Sequence, residues 1–162
     1  MKRKTKKRLK NLLLSIAALS IFLGASVAFG QEEPANPHTK VIKEADEDEL
    51  TELEQVLWLE CRGESWDGQV ATAQVVLNRC LSDEYPDTIH EVLSQVDGGY
   101  RQYSTYRNRH LADPGEDQSD LIEFLCNADM SEFPLSIDYV YQATRRQGYD
   151  CVKIDNQWFG KR

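Results

Sequence analysis

The 162 residues contain no Cys-x-x-Cys pair, no His-Glu-x-x-His, no P-loop and no Gly-x-Ser-x-Gly segment. The first absence argues against a structural zinc site, for which closely spaced thiolates are the usual framework. The others remove the signatures of zinc proteases, nucleotide hydrolases and serine esterases. Histidine is scarce, with only His38, His90 and His110. A cysteine nucleophile needs a nearby base to take its proton, and no local pattern pairs His90 or His110 with a cysteine. No internal repeat is present, which argues against a solenoid. These patterns call for no metal and no cofactor.

Acidic residues are also missing before Glu32, whereas residues 1–10 hold seven bases. An apolar run follows from Leu12 to about Gly30, with small residues near its end. Ala28-Phe29-Gly30 and Ser26-Val27-Ala28 both fit the small-x-small cleavage pattern of a secretory signal. The run is about 18 residues, at the lower limit for spanning a bilayer. Residues 1–30 are therefore expected to be a signal peptide or an uncleaved N-terminal membrane anchor. Either way the positive end stays inside and the remainder lies outside the cytoplasm. Beyond residue 30, twelve Lys and Arg face twenty-seven Asp and Glu, a net charge of about −15. That charge argues against nucleic acid and anionic lipid as partners of the exported part. It suits an uncharged or basic ligand, or one met in a cation-rich wall.

Residues 31–48, "QEEPANPHTKVIKEADED", hold two prolines, many acids and few large apolar groups, the composition of a polar linker. Residues 49–162 remain for one domain, large enough for a core. Its four cysteines, Cys61, Cys80, Cys126 and Cys151, allow disulfides or four free thiols. Leu50 to Arg62 reads as a helix stopped by Gly63, and Gly68 to Cys80 as a second with its stripe at Val70, Ala73, Val76/Leu77 and Cys80. Thr88 to Val96 reads as a short helix with a Thr-x-x-Glu capping box, broken by Gly98-Gly99. Residues 99–118 show little periodicity and many polar and aromatic groups, as in a loop over a site. Ser119 or Asp120 is placed to cap a helix from Leu121 to about Ala128. The closing stretch alternates and is β-branched or aromatic, which predicts two or three strands with a turn near Gly148. The expected fold class is mainly α with a small antiparallel β element (α+β).

Glu60 is the residue out of place. It lies three past Leu57 and four past Val56, on the face of an apolar stripe that includes Leu53. A carboxylate directed at a core is costly unless it is paired or protonated. One solution is a buried salt bridge, to Arg62 or Arg79. The other is chemical: a carboxyl kept protonated by an apolar pocket can serve as a general acid on a glycosidic oxygen. Glu64, beyond Gly63, fits a second carboxylate, a substrate contact or a helix cap. Trp66, Tyr100, Tyr103, Tyr106 and Trp158 are candidates for stacking on sugar faces or for ordinary core and rim positions.

The segment "LECRGESWDGQVATAQVVLNR", Leu59 to Arg79, resembles the signature of the SleB/CwlJ-type cell wall hydrolases, which include spore cortex-lytic enzymes. "YPDTIHEVL", "RQYS", "SIDYVYQA" and "IDNQWF" resemble later blocks of the same family, so the likeness runs over about residues 50–160. It implies a lysozyme-like fold related to lytic transglycosylases, and peptidoglycan glycan strands as substrate. The bond cut would be the β-1,4 link between N-acetylmuramic acid and N-acetylglucosamine. Glu60 matches the family's catalytic glutamate. Glu64, Gln69, Asn78, Gln102 and Ser104 match other motif positions, and with Tyr103 and Trp158 they are expected to bind substrate or support the site. The implied chemistry needs one carboxyl. The sugar's own 6-hydroxyl attacks the anomeric carbon, and a 1,6-anhydro product forms. A muramidase that uses water is the variant. This chain departs from the pattern at Leu59, at Cys61, at Tyr103 where the family has phenylalanine, and at Gln157 where a histidine is common. Glutamine does not titrate, so a protonic role at position 157 is lost. The competing reading is a catalytically weak wall-binding or regulatory module on the same fold. The N-terminal segment is expected to meet the membrane, during export or as an anchor.

Overall fold

The computed structural model describes residues 36–162, so the expected export segment, residues 1–30, lies outside the described residues. Four helices come first: α1 (His38–Glu44), α2 (Glu47–Cys61), α3 (Trp66–Cys80) and α4 (Ile89–Ser94). A two-residue ladder, β1 (Val96–Asp97) with β2 (Tyr100–Arg101), leads into a 3-10 helix, Ser104–Leu111. Helix α5 (Glu116–Asn127) and a single 3-10 turn, Met130–Glu132, follow. Strands β3 (Tyr139–Ala143), β4 (Tyr149–Ile154) and β5 (Gln157–Lys161) close the chain. They form an antiparallel sheet of order β3-β5-β4. The architecture is the expected one, mostly helical with small antiparallel sheets.

Local chemistry explains most of the boundaries. Asp46 caps α2 through a full capping box: its carboxylate accepts from the Glu49 N–H, and Glu49 accepts from the Asp46 N–H. Ser65 caps α3 by accepting from the Gly68 N–H. The predicted Thr88 cap is formed on the Glu91 N–H. Gly98 and Gly99 do more than end a helix. Both hold positive φ, 54° and 87°, and make the turn between β1 and β2. The expected loop over residues 99–118 thus contains a hairpin strand, the 3-10 helix and the first turn of α5. Helix α5 starts at Glu116 rather than Leu121, because Gln118 accepts from the Gly115 N–H and closes the turn there. Ser119 instead donates to Glu54.

The polar segment before residue 49 differs most from its sequence reading. Residues 36–48 are folded, with α1 packed on α5 and α3. Ile42 joins the main core, and Val41 and Ala45 pack against it. His38, assigned by composition to a linker, is wholly buried. Asn36 donates to the carbonyls of Leu125 and Ala128, and Thr39 donates to the Cys126 carbonyl. Short polar side chains here satisfy the carbonyls at the end of α5, which would otherwise lack partners. Composition counts such residues as solvent-seeking and misses that role.

Two apolar clusters flank α3. One gathers Leu53, Val56 and Leu57 of α2, Val70, Ala73, Val76 and Leu77 of α3, and Leu121 and Leu125 of α5. The other is smaller: Ala71 and Val75 of α3 against Leu135, Tyr139 and Phe159. The four cysteines are free thiols. Cys61 and Cys80 are buried, and burial pushes both thiols up to about 12, so they behave as small apolar core residues.

Candidate active site

The apolar stripe of α2 runs out of the core at its last turn. Leu53, Val56 and Leu57 are buried, whereas Glu60 is half-buried and opens on a cavity of about 190 Å³. Its walls are Arg79 of α3, Gln102 and Tyr103 from the segment after β2, Gln142, Ala143 and Thr144 at the end of β3, and Gln157 of β5. The wall is therefore mostly amide, hydroxyl and guanidinium, not the apolar pocket expected around Glu60. The reason is topological. The sequence places apolar residues beside Glu60 along its helix, but what the side chain meets comes from three distant segments.

The Thr105 hydroxyl donates to Glu60 Oε1 at 2.6 Å. This bond fixes the carboxyl, and among the described residues Oε2 has no partner. Among the described residues no salt bridge reaches Glu60. Both arginines considered as counter-ions are engaged elsewhere. The Arg62 guanidinium stacks on Trp58, 3.8 Å from the ring centre. Arg79 donates through Nε to the Val140 carbonyl and through Nη2 to Gln102 Oε1, both at 2.8 Å.

The 3-10 helix that supplies Thr105 is itself clamped to α2. Tyr106 donates its hydroxyl to Glu52, and Arg109 donates Nε and Nη2 to the same carboxylate. His90 Nδ1 lies 2.9 Å from the other Glu52 oxygen. These donors hold the Glu52 carboxyl below the usual carboxylate range against the opposing effect of burial. Glu52 and Glu60 lie eight residues apart on α2, so one helical face receives two successive contacts from Ser104–Leu111.

At the other end of α3, the β4–β5 hairpin docks on the helix start. The tip residue Asp155, at φ 49°, accepts from the Ser65 N–H at 2.8 Å and the Ser65 hydroxyl at 2.6 Å. These bonds, the hydroxyl's first, lower its carboxyl's proton affinity. A Cβ at Gly68 would stand 2.4 Å from Asp155 Oδ2, so only glycine permits this approach. The sheet strands that wall the cavity are thereby referenced to the helix pair.

Of the residues singled out in the sequence, Glu60, Arg79, Gln102, Tyr103 and Gln157 line one cavity. The others lie elsewhere. Glu64 receives long bonds from Asn156, at 3.4 and 3.5 Å, and helps seat the hairpin tip. Gln69 donates to the Glu64 carbonyl. Asn78 is buried and bonds His38, Ser136 and Tyr139. Ser104 borders a separate surface pocket with Tyr100 and Arg107. Trp158 lies under the Arg146 guanidinium, 4.5 Å from its centre. Of the remaining aromatics, Trp66 meets Phe124 edge-on, Tyr106 is buried, and Tyr100 stands 82% exposed at the hairpin tip. Thr105, Gln142 and Thr144 were not singled out. Thr105 directly follows the "RQYS" block and Gln142 lies inside "SIDYVYQA", so both were within reach of the motif reading. Neither residue type signals a site by itself.

Comparison with known proteins places the chain. A family model described as cell wall hydrolase matches residues 63–160, more than half of the chain, beginning three residues after Glu60. A spore cortex-lytic enzyme of Oceanobacillus iheyensis is 33% identical over 70 residues, 43% of this chain. The match spans only 25% of that relative's length. The catalytic domain of the germination-specific lytic transglycosylase SleB from Bacillus anthracis shares the fold. Its TM-score is 0.57 at 21% identity, over 72% of this chain and 96% of that domain.

Proposed function

Since the chain belongs to the cell wall hydrolase family, we propose that it is a peptidoglycan lytic enzyme. It cuts the β-1,4 bond between N-acetylmuramic acid and N-acetylglucosamine, outside the cytoplasm where that polymer lies. The observation that carries this reading is Glu60: one carboxyl, fixed through Oε1 by Thr105, in a cavity whose other walls, among the described residues, bear no carboxylate. Ordinary glycosidases divide the work between two carboxyl groups, about 5 to 9.5 Å apart. A single carboxyl suits the lytic transglycosylase route. Glu60 Oε2 gives its proton to the glycosidic oxygen as the C1–O bond breaks. The muramic 6-hydroxyl oxygen then bonds to C1, and its proton returns to Glu60. A 1,6-anhydro ring forms, no water is consumed, and Glu60 ends protonated as it began. The fold shared with a lytic transglycosylase domain supports the same choice.

Digestion of purified peptidoglycan by the full chain, with products read by mass spectrometry, tests this reading. Anhydro-muramic ends are expected, and Glu60→Gln should lower their rate at least about a hundredfold. Reducing muramic ends would keep Glu60 as the acid and make water the nucleophile. Absence of products on walls of several types would favour a binding or regulatory module.

A further inference from the structure

Apolar packing does little to hold the 3-10 helix Ser104–Leu111 in place. Tyr106 is its one buried residue, and Leu111 stands 67% exposed. The internal bonds of a 3-10 helix are also poorer than those of an α-helix. Its seat on α2 therefore depends on polar contacts, and these converge on Glu52. Tyr106 and Arg109 lie three apart, so a 3-10 helix stacks them on one side, and both donate to this carboxylate. Arg109 also lies over the Tyr106 ring, 4.1 Å from its centre, and donates Nη1 to the Tyr106 carbonyl. His90 brings α4 to the same carboxylate.

Helix α2 does not need Glu52 for its own placement. Leu53, Val56 and Leu57 are at most 1% exposed and fix the helix in the main core. A largely buried ion pair about breaks even against apolar packing of the same volume, so stability alone gives little reason for a glutamate at position 52. Its consequence lies two turns along the helix. Thr105 directly precedes Tyr106, and its hydroxyl is the group that donates to Glu60 Oε1. Eight residues separate Glu52 from Glu60, about 12 Å along α2. The 3-10 helix spans that distance and is tied to both carboxyls.

We infer that Glu52 is a positioning residue for Glu60: through Tyr106 and Arg109 it seats the 3-10 helix so that Thr105 meets Oε1 and Oε2 is presented to the glycosidic oxygen. The inference rests on the proposed role of Glu60 as the acid. Without the Thr105 bond the two carboxyl oxygens are equivalent, and the group turns about its last bond, a torsion with broad wells. Fewer molecules then hold the proton where the leaving oxygen needs it, and a misplacement of about 1 Å can cost about a hundredfold in rate. Glu52 is not among the residues that wall the Glu60 cavity. It therefore acts on the chemical step and not on binding of the strand.

The test measures kcat and KM on purified glycan strands for the full chain and for Glu52→Gln, Thr105→Val and the pair. Glu52→Gln keeps the side-chain shape but offers one acceptor oxygen to donors from three residues. Each single variant is expected to lower kcat about tenfold to hundredfold, with KM within about twofold of wild type. The pair should fall no more than about threefold below the slower single variant, because both changes remove one and the same contact. Should Glu52→Gln fail to fold, Tyr106→Phe takes its place, since it keeps the ring in the core and removes one donor. It should lose about threefold to tenfold alone and nothing further beside Thr105→Val. Losses that multiply in full, or a rise in KM that matches the fall in kcat, mark a merely structural role and overturn the inference. So does a Glu52→Gln variant within about twofold of wild type. Each of these leaves the proposed function standing. If the wild type cuts no strand, the proposed function fails, and carbon-13 NMR of the Glu60 carboxyl decides the inference. A resonance displaced alike by Glu52→Gln and Thr105→Val, and no further by the pair, sustains the positioning of Glu60 by Glu52. A resonance that Glu52→Gln leaves unmoved overturns it.

Discussion

Helix α3 has two buried faces, and they are held by different forces. Toward α2, α4 and α5 it presents Val70, Ala73, Val76, Leu77 and Cys80, all in the main apolar cluster. Toward the segment from Leu135 to Val140 it presents Ala71 and Val75 with Gln74, Asn78 and Arg79 among them. Gln74 exchanges two bonds with Leu135, donating to its carbonyl and accepting from its N–H. Asn78 donates to the carbonyls of Ser136 and Tyr139, and Arg79 to that of Val140. Apolar packing is non-directional and tolerates small shifts. Hydrogen bonds to successive backbone groups fix position. The polar face thereby places β3, and with it Gln142 and Thr144, against the cavity that holds Glu60.

The comparison breaks most visibly at Leu77. Leu77→Ala should cost about 3 kcal/mol by leaving a cavity in the apolar face. The rate of peptidoglycan cleavage measured well below the melting temperature should change little, since β3 keeps its anchors. Gln74→Leu should cost less, about 2 kcal/mol, by leaving the Leu135 N–H and carbonyl without partners. Yet it should slow cleavage more than Leu77→Ala does. Urea unfolding and turnover on the same samples check both, and the reverse ranking of rates would dissolve the distinction between the faces.

His38 tests the far end of the polar face. Asn78 uses Nδ2 on two carbonyls, so its Oδ1 faces His38 Nε2 at 2.7 Å and that nitrogen carries the proton. Nδ1 is buried and has no partner among the described residues. Burial therefore lowers the His38 proton affinity from its ordinary 6.5, outweighing the Asn78 bond. The unfolded chain then binds more protons than the folded one below pH 6.5. This part of the stability is whole above that pH and is lost as pH falls toward the folded value, by at most about 1.4 kcal/mol per pH unit. Urea midpoints between pH 7.5 and pH 5 should fall in wild type and flatten in His38→Gln. Smallest is Asp46→Ala, which should cost about 1 kcal/mol through loss of the α2 cap. It touches neither face of α3, and circular dichroism melts should show cleavage and stability declining together only near the transition.

Much of the helical frame was legible because its signals are local. The cap at Thr88 uses a neighbour three residues away, and the stripe of α3 repeats at helical spacing. Glu60 also stood out locally, as a charge on an apolar face. The fate of residues 36–48 was hidden, because the partners of Asn36 and Thr39 are carbonyls about ninety positions away. The motif residues Glu64, Gln69 and Asn78 were legible as special, but the particular bonds their side chains make were not. Their side chains bond the framework, and nothing in their type distinguishes a framework bond from a substrate bond.

Sequence by itself determined three helices in outline, the Thr88 cap, the closing strands, the family likeness and the one carboxyl set against an apolar stripe. These follow from contacts within a few residues, whose energies do not depend on the rest of the chain. Tertiary structure alone decided that Glu60 meets Thr105 rather than an arginine. It also decided that Arg79, Tyr103 and Gln142 gather around one cavity, each with a buried polar atom that has no partner among the described residues. Those groups come from α2, α3, the segment after β2 and the edge of a sheet. Which atoms remain unpartnered is known only when every other bond has been made.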